Sequence, residues 1–206
     1  DAKNEVMRKT GKKSKVNETI DYRKLIQKLT GARKTLKPYM ANTIDIVWKA
    51  IDKNKKILFE DSHGAMLDVS HGSWPFTTGV NTSLGAVQRS FGGKAIKSLT
   101  KTIACIKAYQ TRVGGGPMPT ENFGSLGKFL QEKGGEVGTR SGRARRCGPI
   151  DLPLLKYGLD ITGLATNDEI ALTKLDVLTG LKQIPVCISY FMNKKYFKKP
   201  PQVDAY

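Results

Sequence analysis

A lysine and an aspartate near the C-terminal end of the chain have the types and spacing needed to read a guanine base. Lys174 and Asp176 follow an apolar run that ends at Leu172 and Thr173. A carboxylate can accept two parallel hydrogen bonds from the N1 and N2 donors of guanine, and adenine offers no such pair. A wrong base would leave the buried carboxylate unpaired, at a cost of roughly 1–3 kcal/mol. The alternative is a strand end with two solvated charges.

A glycine- and arginine-rich loop upstream is the second candidate site. Residues 138–148 carry four arginines between glycines: Arg140, Arg143, Arg145 and Arg146. Planar guanidinium groups pair with carboxylates and phosphates through two parallel hydrogen bonds. Together with the lysine and the aspartate, this loop indicates a site for phosphorylated, guanine-bearing ligands.

The chain is strongly basic, with a formal net charge of +17 over 206 residues. Residues 1–37 contain twelve Lys or Arg against four Asp or Glu. Such a domain could bind nucleic acid through counterion release, which remains an alternative function. It is not the preferred one, because the arginines cluster in one glycine-flanked loop and no nucleic-acid signature with interleaved aromatic residues occurs.

The cysteines and histidines argue against a zinc site. Cys105, Cys147 and Cys187 are far apart, and His63 and His71 are the two histidines. Free thiols are typical of a reducing compartment, so we expect a cytoplasmic protein. We also expect no membrane association, because no apolar run approaches the length of about 20 residues that crosses a bilayer.

Helical and strand patterns alternate along the chain, which predicts an α/β layered structure. We expect a basic, mobile segment over 1–19, an α/β domain over 20–190 and a lysine-rich tail over 191–206. The expected elements are a helix capped by Asp21, a helix from near Pro38, strands at 57–59 and 103–112, a helix capped by Asp151 with Leu152 facing inward, a strand into Lys174 and a strand at 184–190.

Several segments, in order, resemble the adenylosuccinate synthetase family over roughly residues 20–190. The resemblance is carried by Phe59-Glu60-x-x-His63-Gly64-Ala65-Met66-Leu67-Asp68, by His71-Gly72-Ser73-Trp74-Pro75-Phe76-Thr77-Thr78 and by Asn81-Thr82. It continues through Lys107-Ala108-Tyr109-x-Thr111-Arg112-Val113-Gly114-x-Gly116-Pro117, Ser141-Gly142-Arg143-x-Arg145-Arg146-Cys147-Gly148 and Leu172-Thr173-Lys174-Leu175-Asp176-Val177-Leu178.

The resemblance implies an enzyme that joins IMP to L-aspartate: GTP phosphorylates the 6-oxygen of IMP, and the aspartate amine displaces that phosphate. Matching positions assign IMP to His63, Thr78 and Arg143. They assign aspartate to the backbone of Val113 and to Thr139, Arg140, Ser141, Gly142, Arg143 and Arg145. They assign GTP to Arg145, Lys174, Leu175 and Asp176. The resemblance also implies a Mg²⁺ cofactor, a homodimer and a P-loop-NTPase-like layered sheet with flanking helices.

Parts of the family pattern have no counterpart in these 206 residues. The family's glycine-rich phosphate loop, with its catalytic aspartate, and the histidine acid after it do not occur. We therefore expect an incomplete fold, no catalytic residue or metal ligand in this chain, and no turnover by the chain alone. A truncated or diverged module that binds nucleotide without turnover is the alternative. Five positions also depart from the pattern: Asp61, Gly79, Val80, Arg140 and Ala144.

Overall fold

The computed structural model describes residues 21–138, 142–164 and 168–199. The chain divides into two compact units, Asp1–Thr43 and Ile44–Tyr206. Helices and strands alternate along it, so the α/β prediction is confirmed. The expected basic segment at 1–19 and the end of the expected tail, residues 200–206, lie outside the described residues. Among the described helices, none has the length and apolar character required to cross a membrane.

The described part of the first unit is a helix followed by a tight turn. Helix α1 spans Tyr22–Leu36, and the Asp21 carboxylate accepts hydrogen bonds from the backbone N–H groups of Arg23 and Lys24. This confirms the predicted cap, since a side-chain oxygen at that position satisfies N–H groups that have no partner within the helix. The second helix was predicted to begin near Pro38, but it begins at Thr43. Pro38 lies in a separate 3-10 turn, Lys37–Tyr39, which ends where Met40 becomes extended.

Four further α-helices occur among the described residues: α2 (Thr43–Asp52), α3 (Gly85–Lys97), α4 (Ser125–Gly134) and α5 (Leu152–Thr162). Apart from Thr43, they belong to the second unit. The Asp151 carboxylate accepts a hydrogen bond from the N–H of Leu154 at 2.9 Å, which confirms the predicted cap of α5. Leu152 was predicted to face inward, but it is 42% exposed. Helix α4 ends at Gly135, whose left-handed backbone (φ 59°) favours glycine.

In the part of the chain that the structure describes, the strands form three small sheets. In the first, β1 (Ile103–Lys107) pairs in parallel with β4 (Glu169–Thr173). In the second sheet, β2 (Tyr109–Arg112) is antiparallel to β3 (Arg146–Asp151), and β3 is parallel to β5 (Val186–Cys187). The third is a hairpin of β6 (Tyr190–Met192) and β7 (Lys195–Phe197). Helix α4 packs on β3, and the core beneath it consists of Ala108, Tyr109, Leu130, Cys147, Val177 and Leu178.

Three strand predictions need correction. The run from 103 to 112 is not one strand, because the chain passes from the first sheet to the second at the buried Ala108. The expected strand at 57–59 is irregular, and within the described residues it pairs with no strand. Leu58 is 87% exposed, whereas the ring of Phe59 packs against that of Phe91. The run from 184 to 190 is not one strand, because it contains the whole of the two-residue strand β5 and then the first residue of β6.

Candidate functional site

A polar loop, residues 62–82, is organised by one buried carboxylate. Asp68 is completely buried. Its Oδ1 accepts hydrogen bonds from the N–H groups of Ser70 (2.8 Å) and His71 (3.0 Å), and its Oδ2 accepts one from Thr82 (2.7 Å). Burial alone would raise the pKa of Asp68, but these backbone hydrogen bonds outweigh burial and hold the pKa below its ordinary value. The carboxylate therefore joins the middle of the loop to its end.

The polar loop holds Thr78 firmly. The N–H of Thr78 donates to the carbonyl of Leu67 at 2.8 Å, and its Oγ1 lies 3.1 Å from the carbonyl oxygens of Leu67 and Val80. His63, by contrast, is exposed and has a left-handed backbone (φ 68°). Its ring Nδ1 lies 2.9 Å from Oγ of the neighbouring Ser62. The structure thus fixes Thr78 from two directions, whereas the ring of His63 contacts its own neighbour.

A glycine turn, residues 113–117, lies beside the polar loop. The Arg112 side chain joins the two, because its Nε donates to the carbonyl of Gly115 at 2.8 Å and its Nη2 to the carbonyl of Phe76 at 2.9 Å. Val113, assigned to the aspartate pocket by the resemblance, begins this turn and is exposed. The polar loop and the glycine turn are therefore held together two residues from Thr78.

The glycine turn is also attached to strand β3. Nη1 of Arg146 donates to the carbonyl of Gly116 at 2.8 Å and to that of Gly114 at 3.1 Å. Its Nη2 pairs with the Glu121 carboxylate. The hydrogen bond with Glu121 raises the pKa of Arg146. Arg146 is thus a structural link between the glycine turn and the arginines that precede it.

The arginine loop, residues 137–146, is closed at its base. Val137 and Ala144 form an antiparallel bridge, and the N–H of Gly138 donates to the carbonyl of Arg143 at 2.7 Å. Gly142 has a left-handed backbone (φ 62°), which favours glycine. The Arg143 side chain is exposed. Three predicted ligand residues of this loop lie outside the described residues: Thr139, Arg140 and Ser141.

Arg145 enters a charged cluster centred on Glu136. Glu136 is 1% exposed, and its carboxylate accepts hydrogen bonds from Lys107 Nζ (2.8 and 2.9 Å), Tyr109 Oη (2.6 Å) and Arg145 Nη1 (2.7 Å). Burial alone would raise the pKa of Glu136, but the hydrogen bonds from Lys107, Tyr109 and Arg145 outweigh it and hold the pKa at about 2. Burial and Glu136 together raise the pKa of Tyr109, which therefore stays a neutral donor.

The proposed guanine-reading residues lie where strand β4 ends. Thr173 is the last strand residue, and Lys174 follows with a left-handed backbone (φ 61°). Lys174 Nζ donates to the carbonyl of Gly134 at 2.8 Å. Asp176 is exposed on the 3-10 turn Leu175–Leu178, not on the strand, and the two residues that follow it are buried in the core. In open α/β sheets, ligands bind outside the carboxyl ends of strands, which is where this pair lies.

The structure joins four of the predicted ligand residues through one continuous path of contacts. It runs from the polar loop through Arg112 to the glycine turn, through Arg146 to β3 and Arg145, and through Glu136 to the end of α4 and Lys174. This path brings together Thr78, Val113, Arg145 and Lys174. His63 is connected to this path only through the backbone of the polar loop.

Sequence reasoning missed the residues that hold this site in place. Asp68, Arg112 and Glu136 were given no role of their own, and Arg146 was counted only among the clustered arginines, although each supports a predicted ligand residue. One signal was available: Glu136 is the one acidic residue between Gly135 and Arg146, in a segment where every other charge is positive. A lone acid beside clustered arginines is a candidate for a buried ion pair.

Comparison with known proteins identifies the family. The family model for adenylosuccinate synthetase matches residues 1–206. The chain is 49% identical over 166 residues to the adenylosuccinate synthetase of Lawsonia intracellularis, covering 80% of this chain and 38% of that protein. It is 44% identical over 174 residues to that of Bifidobacterium adolescentis, covering 84% and 40%. The chain thus spans about two fifths of the length of these relatives.

A solved structure agrees with the sequence comparisons. Fully ligated adenylosuccinate synthetase from Plasmodium falciparum superimposes with a TM-score of 0.81 at 33% identity, over 95% of this chain and 45% of that one. This agreement supports the layered α/β architecture expected from the resemblance. The chain belongs to the adenylosuccinate synthetase family.

Proposed function

We propose that the chain forms part of a GTP-dependent ligase that joins IMP to L-aspartate and releases adenylosuccinate, GDP and phosphate. The observation that carries the proposal is the family match over all 206 residues. The continuous path of contacts from the polar loop to Lys174 supports it, because one chain of hydrogen bonds connects the segments that carry residues assigned to three different ligands. The comparisons favour neither the nucleic-acid binder nor the module without turnover.

The proposed guanine site uses Lys174, Leu175 and Asp176. The Lys174 stem would cover the purine while its ammonium stays on the carbonyl of Gly134. The exposed Asp176 carboxylate would accept hydrogen bonds from N1 and N2 of the base, a pair that adenine lacks. Leu175 would contribute backbone and apolar contact.

The proposed IMP and aspartate sites lie on the other loops. Thr78 and Arg143 would bind IMP, with the exposed His63 ring at its edge. The arginine loop from Thr139 to Arg143 and the Val113 backbone would bind aspartate. Arg145 would serve both aspartate and GTP. Guanidinium groups suit these roles because they pair with carboxylate and phosphate alike.

Three further proposals rest on the family resemblance: Mg²⁺ as cofactor, a homodimer and a cytoplasmic location. Mg²⁺ would help to neutralise phosphate charge during the transfer from GTP. Among the described residues, no group of three or more His, Cys, Asp or Glu side chains is arranged to hold a metal ion. No ligand of the ion is assigned among these residues, and no step of the reaction is assigned to the ion through them.

The guanine assignment is tested by Asp176→Asn in the 206-residue chain, with GTP and ATP titrated by isothermal calorimetry. The amide turns one acceptor into a donor that faces a donor of the base. We expect GTP affinity to fall about tenfold or more, which corresponds to about 1.4 kcal/mol per factor of ten. ATP affinity should change by about twofold at most, since adenine does not use this pair.

The matched control is Asp160→Asn, which removes a carboxylate from an exposed ion pair with Lys156 on α5. It should leave both affinities unchanged. An equal loss for GTP and ATP in Asp176→Asn, or a wild-type chain with no preference for GTP, would contradict the guanine assignment.

A further inference from the structure

One three-residue turn contacts both halves of the proposed GTP site. This turn, Gly134-Gly135-Glu136, ends helix α4. The carbonyl of Gly134 accepts the hydrogen bond from Lys174 Nζ at 2.8 Å. Two residues later, the carboxylate of Glu136 accepts the hydrogen bond from Arg145 Nη1 at 2.7 Å. The proposed guanine-covering lysine and the proposed phosphate- and carboxylate-binding arginine are therefore attached to the same short segment.

The turn itself is held rigidly. The N–H of Gly135 donates to the carbonyl of Glu132, and the N–H of Glu136 donates to that of Gln131 at 2.9 Å. Downstream, the N–H of Arg145 donates to the carbonyl of Glu136 at 2.8 Å, so Arg145 is bound to Glu136 through both backbone and side chain. These bonds leave the turn little freedom to move without moving Arg145.

The buried carboxylate also balances the charges around it. Lys107 and Arg145 both pair with Glu136, which is buried to 1% exposure. A buried carboxylate is stable when its oxygens are fully hydrogen-bonded and its charge is matched, which three donors achieve here. A guanidinium has five N–H donors, so the bond through Nη1 can fix its plane while other donors remain for a ligand.

We propose that the Gly134–Glu136 turn is a positioning element that sets Lys174 and Arg145 relative to each other, so that guanine and the phosphate or carboxylate groups are bound in register. The inference rests on the proposed function, because it concerns how the GTP site is held. Glu136 is a positioning residue: it acts through Arg145, Lys107 and the turn, not by contact with the ligand.

Glycine at position 134 provides an independent way to disturb the turn. A Cβ at Gly134 would lie 2.2 Å from Oη of Tyr109 and 3.1 Å from Cγ of Glu136. Gly134→Ala therefore displaces the Tyr109 hydroxyl from Glu136 without changing any charge. Tyr109→Phe removes the clashing oxygen together with its hydrogen bond to Glu136, so the double variant Gly134→Ala/Tyr109→Phe should recover to the level of Tyr109→Phe alone.

The experiment measures GTP affinity by calorimetry and follows assigned NMR signals of the nucleotide-free chain. The signals are the Arg145 Nε–Hε group and the Lys174 backbone amide. We expect Glu136→Gln and Gly134→Ala to shift both signals and to weaken GTP binding about tenfold or more, while circular dichroism shows a folded chain. The double variant should return both signals and the affinity to the values of Tyr109→Phe alone, because it has lost the clash but also the hydroxyl.

The control is Glu169→Gln, which removes an exposed carboxylate paired with Lys101 at the far end of β4 from Lys174. It should leave both signals and GTP affinity unchanged. The inference is overturned if Glu136→Gln moves the Arg145 signal but not the Lys174 signal. It is also overturned if the wild-type chain binds GTP and the Glu136→Gln variant binds GTP equally tightly.

Two outcomes separate this inference from the proposed function. If the wild-type chain does not bind GTP, the proposed function fails for this chain, and the two NMR signals alone decide whether the turn links Lys174 to Arg145. If Glu136→Gln does not fold, Gly134→Ala and its double variant decide the question. No recovery in the double variant would then refute the role of the turn.

Discussion

Replacing the buried Asp68 by asparagine should destabilise the chain more than any exposed carboxylate substitution. The carboxylate accepts three backbone hydrogen bonds, from Ser70, His71 and Thr82, and it is completely buried. In Asp68→Asn, the amide oxygen can keep the bonds from Ser70 and His71. The amide nitrogen then faces the N–H of Thr82, so a donor opposes a donor.

The size of the effect follows from this geometry. One buried N–H left unsatisfied costs about 1–3 kcal/mol. The two remaining bonds lose their charged acceptor, and neutral hydrogen bonds are roughly half as strong as charge-assisted ones. We therefore expect Asp68→Asn to lower the free energy of unfolding by about 2–4 kcal/mol. This is a large part of the 5–15 kcal/mol that is typical of a folded domain.

Equilibrium unfolding in urea, followed by tryptophan fluorescence, measures this change. With a typical dependence of about 1–3 kcal/mol per molar urea, the midpoint should fall by about 0.7–4 M. Asp160→Asn is again the matched control, since its carboxylate makes an exposed ion pair. Exposed substitutions usually stay within about 0.5 kcal/mol.

The same variant tests the link from Asp68 to the proposed IMP site. Thr78 is held by the polar loop that Asp68 organises, so Asp68→Asn should also weaken IMP binding. Equal unfolding midpoints for Asp68→Asn and Asp160→Asn would refute the reasoning, because they would mean that the three backbone bonds contribute nothing beyond a solvated carboxylate.

Two further predictions concern stability. Gly148→Ala should destabilise the chain by at least about 3 kcal/mol in urea unfolding, because the added Cβ would lie 1.8 Å from the backbone oxygen of Thr120. In the control Gly93→Ala, the added Cβ meets nothing within 4 Å, so this variant should be neutral or stabilising. Equal effects of the two variants would contradict this prediction. Glu136 has an ordinary pKa of 4.5 that folding lowers to about 2, so its ionised form stabilises the fold above about pH 4.5, and that contribution is lost as pH falls toward 2. The wild-type chain should therefore lose about 3 kcal/mol more than Glu136→Gln between pH 5 and pH 2, and parallel stability curves would exclude this role.

The sequence alone determined the features that depend on neighbouring residues. Asp21 and Asp151 were correctly predicted to cap helices, because a cap is a contact between a side chain and the backbone two or three residues away. The ordered motifs from Phe59 to Leu178 identified the family, since they preserve residue types at fixed spacing. These motifs also named the ligand residues that remain proposals.

The tertiary structure decided which segments meet. The apolar run from 103 to 112 carries no mark of the point where it leaves one sheet for another, because both parts show the same local pattern. The segment at 57–59 resembles a strand in composition, but a strand forms only when another strand pairs with it. Tertiary pairing therefore overrides local propensity at both places.

The support of the candidate site could not be read from the sequence for the same reason. Glu136 meets Lys107, Tyr109 and Arg145 across separations of 29, 27 and 9 residues. A carboxylate in a glycine-rich turn looks solvated until the fold brings three donors to it and removes water. The sequence determined which residues can bind, and the packing of α4 against the strands determined which residues hold them in place, because burial and charge pairing depend on contacts between distant segments.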